Sequence, residues 1–339
     1  MVNELIIGVD LGLKNPHRAA LTDFDTGREI GKSFSFDRDI DGFNKLMDRI
    51  EKVKCDRQLV FVMEPTSMAW LPLACFVIGK GHRVYTVQPK KVAMLRKFFG
   101  LDKSDHLDSV TLAKVYQLKP DALNQLFIPP GHVKTLDRFC RQRARLVKQT
   151  SAIRQRLWHI FTFANPKVPD VLGGLNFSTQ CRAFLRNYID AHKIVEAGLE
   201  TFSQFLAEHT NGKLDTKLPE KLMQASVSTV EIYKDYKEQN GMPFDPEALQ
   251  MEVNNELDVL EAIEEKIQSI EKEILKRYLI FDPKRNLESF RGIALTLAPI
   301  IHSVVGDIRR FPNVRAFRGF VSIVSKKKQS TAPPMTSRA

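Results

Sequence analysis

Four acidic residues in the first third of the chain have the types and spacing to hold a divalent cation. Asp10 closes the apolar run that begins at Leu5, and Glu64 directly follows the apolar run Leu59 to Met63. Asp105 and Asp108 lie in Lys103-Ser104-Asp105-His106-Leu107-Asp108. A spacing of three puts both side chains on one face of a helix start. Converging carboxylates repel one another unless a cation neutralises them, and hard oxygen ligands select Mg²⁺ or Mn²⁺. Two such ions roughly 3.5–4 Å apart activate an attacking oxygen and stabilise a leaving one in phosphoryl transfer, so no carboxylate need act as a base. Simpler readings compete. Asp105 suits a helix N-cap, and Asp-x-x-Asp at a helix start is favoured by the dipole alone. Asp10-Leu11-Gly12 followed by Lys14 also opens the phosphate loop of actin-like ATPases and sugar kinases. Those proteins need a second Gly-rich phosphate loop and an adenosine motif, and the sequence has neither. Asp25-Thr26-Gly27 lies too close to serve and reads as a hairpin turn.

Regular elements must bring these acids together. Leu5 to Asp10 reads as a buried central strand. Arg18 to Leu21, the turn at Asp25-Thr26-Gly27 and the alternating stretch Ile30 to Phe36 complete an antiparallel meander. Helical spacing follows over Ile40 to Val53, carried by Phe43, Leu46, Met47, Ile50 and Val53. Leu59 to Met63 is a strand, Ala69 to Ile78 a helix, and Arg83 to Val87 a strand. Pro89 to Phe99 is a helix with Pro in its first turn. Three strands and then alternating helix and strand is the order of a ribonuclease-H-like α/β fold. Asp10 and Glu64 then sit at the carboxyl ends of central strands, the edge where ligands gather in open α/β sheets.

Beyond Leu107 the pattern is helical. Val133 to Phe163 is one long helix, and several shorter helical stretches span Val168 to Asn240. Pro246 to Tyr278 is a long amphipathic helix whose apolar positions are Val253, Leu257, Leu260, Ile263, Ile267, Ile270 and Ile274. Those intervals suit a coiled coil or a helical hairpin. With mostly acidic exposed positions, the helix reads either as a dimer element or as a packed member of a bundle. Asp282-Pro283 breaks it. The expected organisation is a catalytic α/β domain over 1–165, a helical and coiled-coil region over 166–281, a small α-helical domain over 286–331, and a disordered Pro-containing tail over 332–339.

The chain has 339 residues, 43% hydrophobic and 27% charged, with a formal net charge of +11. That excess favours a polyanionic partner. It concentrates between Val133 and Phe163, where Lys134, Arg138, Arg141, Arg143, Arg145, Lys148, Arg154 and Arg156 face the single acid Asp137. Arg138, Arg141, Arg145 and Lys148 share one helical face and are candidates for nucleic-acid contact, over the alternative of a solvated charged face. Arg309, Arg310, Arg315, Arg318 and Lys326 to Lys328 form a second cluster suited to DNA phosphates. The four cysteines show no CxxC pair and no zinc spacing. No apolar run is long enough to span a bilayer, and no signal-peptide pattern opens the chain. The expected location is the cytoplasm, with access to DNA.

In this combination and order the motifs resemble the DEDD-type insertion-sequence transposases of the "one-ten" family, whose recombination is directed by a bridge RNA. The resemblance rests on Ile6-Ile7-Gly8-Val9-Asp10, Phe61-Val62-Met63-Glu64-Pro65-Thr66, Tyr85-Thr86-Val87-Gln88-Pro89-Lys90-Lys91 and Lys103 to Asp108, with Ser109 where the family has Ala. It continues in Phe290-Arg291-Gly292-Ile293-Ala294, Val305-Gly306-Asp307-Ile308-Arg309-Arg310-Phe311 and Phe317-Arg318-Gly319-Phe320. Together these cover about 4–165 and 286–331. Arg291 stands where the family has Pro, Ala294 where it has a second Gly, and Ser322 at the point of a further Pro. The resemblance implies a RuvC-like catalytic domain with Mg²⁺ or Mn²⁺ on Asp10, Glu64, Asp105 and Asp108. It also implies a nucleophilic serine in the C-terminal domain, at Ser330 in Lys326-Lys327-Lys328-Gln329-Ser330. DNA and a structured guide RNA would be the partners, and the assembly a homodimer or homotetramer. Two alternatives share the carboxylates: a RuvC-type junction-resolving nuclease that uses metal-activated water, and a truncated copy that binds nucleic acid without activity.

Overall fold

The computed structural model describes residues 3–65, 67–89, 92, 94, 105–120, 123–209 and 217–321, without the side chains of 105–107 and 124. These residues divide into two units, Met1–Ile128 and Pro129–Ala339.

The first unit is built on one mixed sheet. Its strands are β1 (Glu4–Asp10), β2 (His17–Asp23), β3 (Phe34–Phe36), β4 (Gln58–Met63), β5 (Arg83–Thr86) and β6 (Asn124–Gln125), in the order β3-β2-β1-β4-β5-β6. β1, β2 and β3 pair antiparallel, while β1, β4 and β5 pair parallel. This is the meander followed by crossovers that the sequence predicts, and it is compatible with a ribonuclease-H-like α/β domain. Two details differ. The Ile30 to Phe36 stretch forms a strand only at its end, since residues before Phe34 meet β2 through the single bridge Thr22 to Glu29. β6 is an unexpected antiparallel partner of β5; two residues carry too little pattern to read.

The strands alternate strictly. Leu5, Ile7, Val9, Leu59, Phe61 and Met63 are buried on one face under α1 (Ile40–Lys54) and α2 (Trp70–Gly79). Ile6, Val60 and Val62 are buried on the other face with Leu112, Ala113 and Tyr116 of α3 (Asp105–Leu118). β1 and β4, covered on both faces, therefore read as unbroken apolar runs. Asp39 caps α1 by accepting the Gly42 N–H at 2.8 Å. The helix expected over Pro89 to Phe99 lies mostly outside the described residues.

The second unit is helical: α4 (Gly131–Ala164), α5 (Val168–Val171), α6 (Thr179–Asn187), α7 (Ala191–Glu208), α8 (Leu218–Asn240), α9 (Pro246–Phe281), α10 (Leu297–Val305) and α11 (Val314–Phe320), with 3-10 turns at Asn286–Ser289 and Ile308–Arg310. Val253, Leu257 and Leu260 of α9 are buried in the core shared with Ile153, Leu157 and Phe161 of α4. Ile274 is buried against Leu136 and Cys140. Much of the apolar stripe of α9 is thus buried within the chain, as the bundle reading of this helix expects. Ion pairs run down the α4–α9 contact: Arg156 with Glu256 at 2.7 Å, Arg154 with Glu264 at 2.9 Å and Arg143 with Glu271 at 2.6 Å. The numbers rise on one helix as they fall on the other, so the two are antiparallel. Arg182 and Arg186 of α6 bind Glu264, Glu261 and Asp258 of α9. At the end of α4 the buried Asn165 amide donates to Ser226 Oγ (3.0 Å) and accepts from Thr229 Oγ1 (2.8 Å), tying α4 to α8. The catalytic domain expected to end at 165 takes in α4, whereas the compact units divide ahead of it, because α4 finds its core with α9. Among the described residues no helix is long and apolar enough to cross a membrane.

Asp282, just past α9, is buried and accepts the N–H groups of Asn286 (2.9 Å) and Leu287 (3.0 Å) and the Tyr278 hydroxyl (2.9 Å). Burial alone would raise its pKa; the two N–H groups, the phenol and nearby His302 outweigh that and hold the carboxyl below its ordinary value. A depressed folded pKa adds stability that is present above the unfolded value and is lost as pH falls through the folded one. Asp282→Asn is therefore expected to flatten the acid side of the stability–pH curve. Urea midpoints between neutral and acid pH measure this, and an unchanged slope would contradict it.

Candidate active site

The register of the sheet sets Asp10 and Glu64 side by side. β1 and β4 run parallel and pair up to Val9 with Met63, so the next step along each strand is Asp10 and Glu64. Adjacent strands lie roughly 4.8 Å apart. By the alternation that buries Ile6, Val60 and Val62, both acids belong to the face covered by α3. Both are partly exposed, as befits the sheet edge where the strands end. Asp10 also stands opposite Arg18 of β2, whose Nε donates to Ser33 Oγ at 3.1 Å.

α3 brings the remaining acids to that face. It is described from Asp105 to Leu118 and carries Asp108. Asp108 is 9% exposed; the side chain of Asp105 lies outside the described residues. Asp10, Glu64 and Asp108 each engage neighbours in the fold. The candidate donors are all carboxylate oxygens, with Asp10 and Glu64 at one edge of the sheet on the face that α3 covers. This chemistry suits a hard cation such as Mg²⁺ or Mn²⁺ and suits neither a soft metal nor an organic cofactor. Among the described residues no three acid, His or Cys side chains stand close enough together to form a ligand set.

Asp10, Glu64 and α3 are thus assembled from three separated segments on one mixed sheet. Residues 7–166 match the family profile of the DEDD transposases of IS110 type, described as "Transposase". This part of the chain belongs to the DEDD transposase family. No curated protein matches the chain at a significant level. The match supports a transposase in general terms, a family of enzymes that act on DNA. The match covers the three segments that carry the acids and runs on to the end of α4.

The basic residues of the chain divide by their partners. On α4, Arg138, Arg141, Arg145 and Lys148 are all exposed. Arg141 pairs with Asp137 of its own helix at 2.8 Å. Arg143, Arg154 and Arg156, on the side toward α9, are taken up by its acids. In the C-terminal segment Arg309 folds back on Asp307 at 2.8 Å. Arg310 lies over the rings of Phe311 and Phe320, 4.3 and 4.6 Å from their centroids, and donates to the Val305 carbonyl. Arg310 thus also makes local packing contacts, an environment that the count of charges conceals. Ser330, Lys326, Lys327 and Lys328 lie outside the described residues.

Two features of β1 escape a reading by residue type. Glu4, in the first position of β1, is buried with the Arg83 guanidinium and the Tyr116 hydroxyl on its carboxylate. Gly8 sits under the backbone of α3. A glycine inside a strand is the available signal for the second, because it marks a close backbone approach.

Proposed function

We propose that the chain is an RNA-guided DNA transposase or recombinase that cuts and rejoins strands at the carboxylate row, with Ser330 as nucleophile. The observation that carries the reading is the transposase-family match over 7–166, supported by the register that makes Asp10 and Glu64 neighbours on the face that α3 covers. Asp10, Glu64, Asp105 and Asp108 would hold Mg²⁺ or Mn²⁺. The bound ion supplies charge stabilisation at the phosphate that reacts. Asp10 and Glu64 are anchored on a rigid sheet and their charge concentrates the cation; α3 adds its own acids. The Ser330 hydroxyl attacks the phosphorus: an Oγ–P bond forms, one strand P–O bond breaks, and the serine proton ends on the departing strand hydroxyl. Attack by another strand's hydroxyl reverses the exchange and rejoins DNA. The exposed face Arg138, Arg141, Arg145 and Lys148 suits a folded RNA, which is read by backbone and shape. Arg309, Arg310 and Lys326 to Lys328 belong to the DNA side of the proposal. A dimer or tetramer would bring two sites to two strands, and the enzyme would work in the cytoplasm at the nucleoid.

Strand cleavage by Ser330→Ala tests the chemistry. The expected result is loss of cleavage together with loss of the covalent protein–DNA adduct seen on a denaturing gel. Cleavage at the wild-type rate without an adduct would replace the serine with water, as in a junction-resolving nuclease. The registered carboxylates serve that second reading equally.

A further inference from the structure

We propose that Tyr116 is a positioning residue for the carboxylate row, holding α3 in register over β1 by its bond to the buried Glu4 while Gly8 admits the helix backbone. The inference rests on the metal-site reading above. α3 is one rod that carries Asp108 and, two turns further on, Tyr116. At the far end the Tyr116 hydroxyl donates to Glu4 Oε2 at 3.1 Å, within the core. Glu4 is 3% exposed and is neutralised by Arg83, which also donates to Gln58 Oε1 at 3.0 Å. The adjacent Gln117 amide donates to the Phe24 carbonyl at 3.1 Å. Burial, reinforced by the Glu4 charge, raises the pKa of the phenol, so it remains a donor at working pH.

In the middle of the rod the helix meets the strand backbone to backbone. A Cβ on Gly8 would lie 1.9 Å from the Ser109 carbonyl oxygen and 3.0 Å from the Ala113 nitrogen. Neither atom belongs to a flexible side chain, so only glycine permits this depth. Gly8 precedes Asp10 on the same face, and Ser109 is the chain neighbour of Asp108. The contact that sets the depth of α3 therefore lies between neighbours of two site carboxylates. A cation such as Mg²⁺, with ligand distances of about 2.0–2.1 Å and a strict octahedral preference, tolerates little drift in that spacing. Tyr116 and Glu4 then fix where along β1 the rod stops.

The test is Mn²⁺ binding to the full chain by calorimetry, beside thermal unfolding. In Tyr116→Phe the ring keeps its packing against Tyr85 and Phe24, and the dissociation constant for Mn²⁺ is expected to rise several-fold as α3 loses its fixed register. Glu4→Gln, which keeps an acceptor for the phenol, should fall between wild type and Tyr116→Phe. Gly8→Ala should weaken binding more than either; if it does not fold, Tyr116→Phe decides alone. A lower Tm with an unchanged Mn²⁺ dissociation constant in Tyr116→Phe, where Asp10→Asn abolishes binding, would overturn the positioning role and leave the site standing. No Mn²⁺ binding by wild type would overturn the site and this inference with it.

Discussion

Asp10→Asn is expected to lower Mg²⁺-dependent strand cleavage by at least about a thousand-fold, roughly 4 kcal/mol of transition-state stabilisation. The substitution keeps the shape of the side chain and removes its charge. Asp10 is partly exposed at the end of β1 and contributes nothing to the apolar layers on either side, so the fold should survive. Its loss acts on chemistry because Glu64, one strand away, would then face the cation without its nearest partner. The measurement is cleavage of a labelled DNA substrate across a Mg²⁺ titration, with thermal unfolding run in parallel. Cleavage within ten-fold of wild type at an unchanged Tm would remove Asp10 from the site. A wild-type protein that binds DNA and never cleaves it would favour the non-enzymatic alternative.

The triple replacement Arg138→Ala, Arg145→Ala and Lys148→Ala should weaken nucleic-acid binding roughly a hundred-fold at low ionic strength and make the dependence of log K on log salt shallower by about 2 to 3. Among the described residues none of the three has an ion-pair partner, and all are exposed on one face of α4. The matching control is Arg143→Ala, Arg154→Ala and Arg156→Ala on the same helix. Those side chains already neutralise Glu271, Glu264 and Glu256, so their removal should lower Tm and spare the salt slope. Equal effects of the two triples on binding would mean that overall charge acts, and no particular face. Binding to a structured RNA and to duplex DNA should be measured separately, since the proposal gives the α4 face to RNA.

The acids and the core of the first unit were legible because both depend on short-range pattern. An apolar run that ends in an acid, repeated at Asp10 and Glu64, defines a doubly covered strand with a carboxylate at its edge, and the sheet has that form. The spacing of Asp105 and Asp108 puts them on one helix, and both lie within α3. Partners distant in sequence were not legible. Periodicity identified the apolar stripe of α9 but left open which surface covers it; Ile153, Leu157 and Phe161 of α4 do so. A run of arginines looks uniform as text, yet those facing α9 are consumed by its acids, while those turned away stay in solvent. Arg310 reads in the sequence as one member of a basic cluster, and only the fold shows the rings of Phe311 and Phe320 beneath it.

For the carboxylates, then, the sequence by itself determined which four acids stand at strand ends and on one helix, because alternation and helical spacing are local properties of the chain. Only the tertiary structure decided that Asp10 and Glu64 are lateral neighbours, and that α3 presses close enough to exclude any side chain at Gly8. Strand register and helix depth arise from hydrogen bonds and backbone contacts between segments far apart in the sequence, such as Tyr116 with Glu4, and no local pattern encodes them.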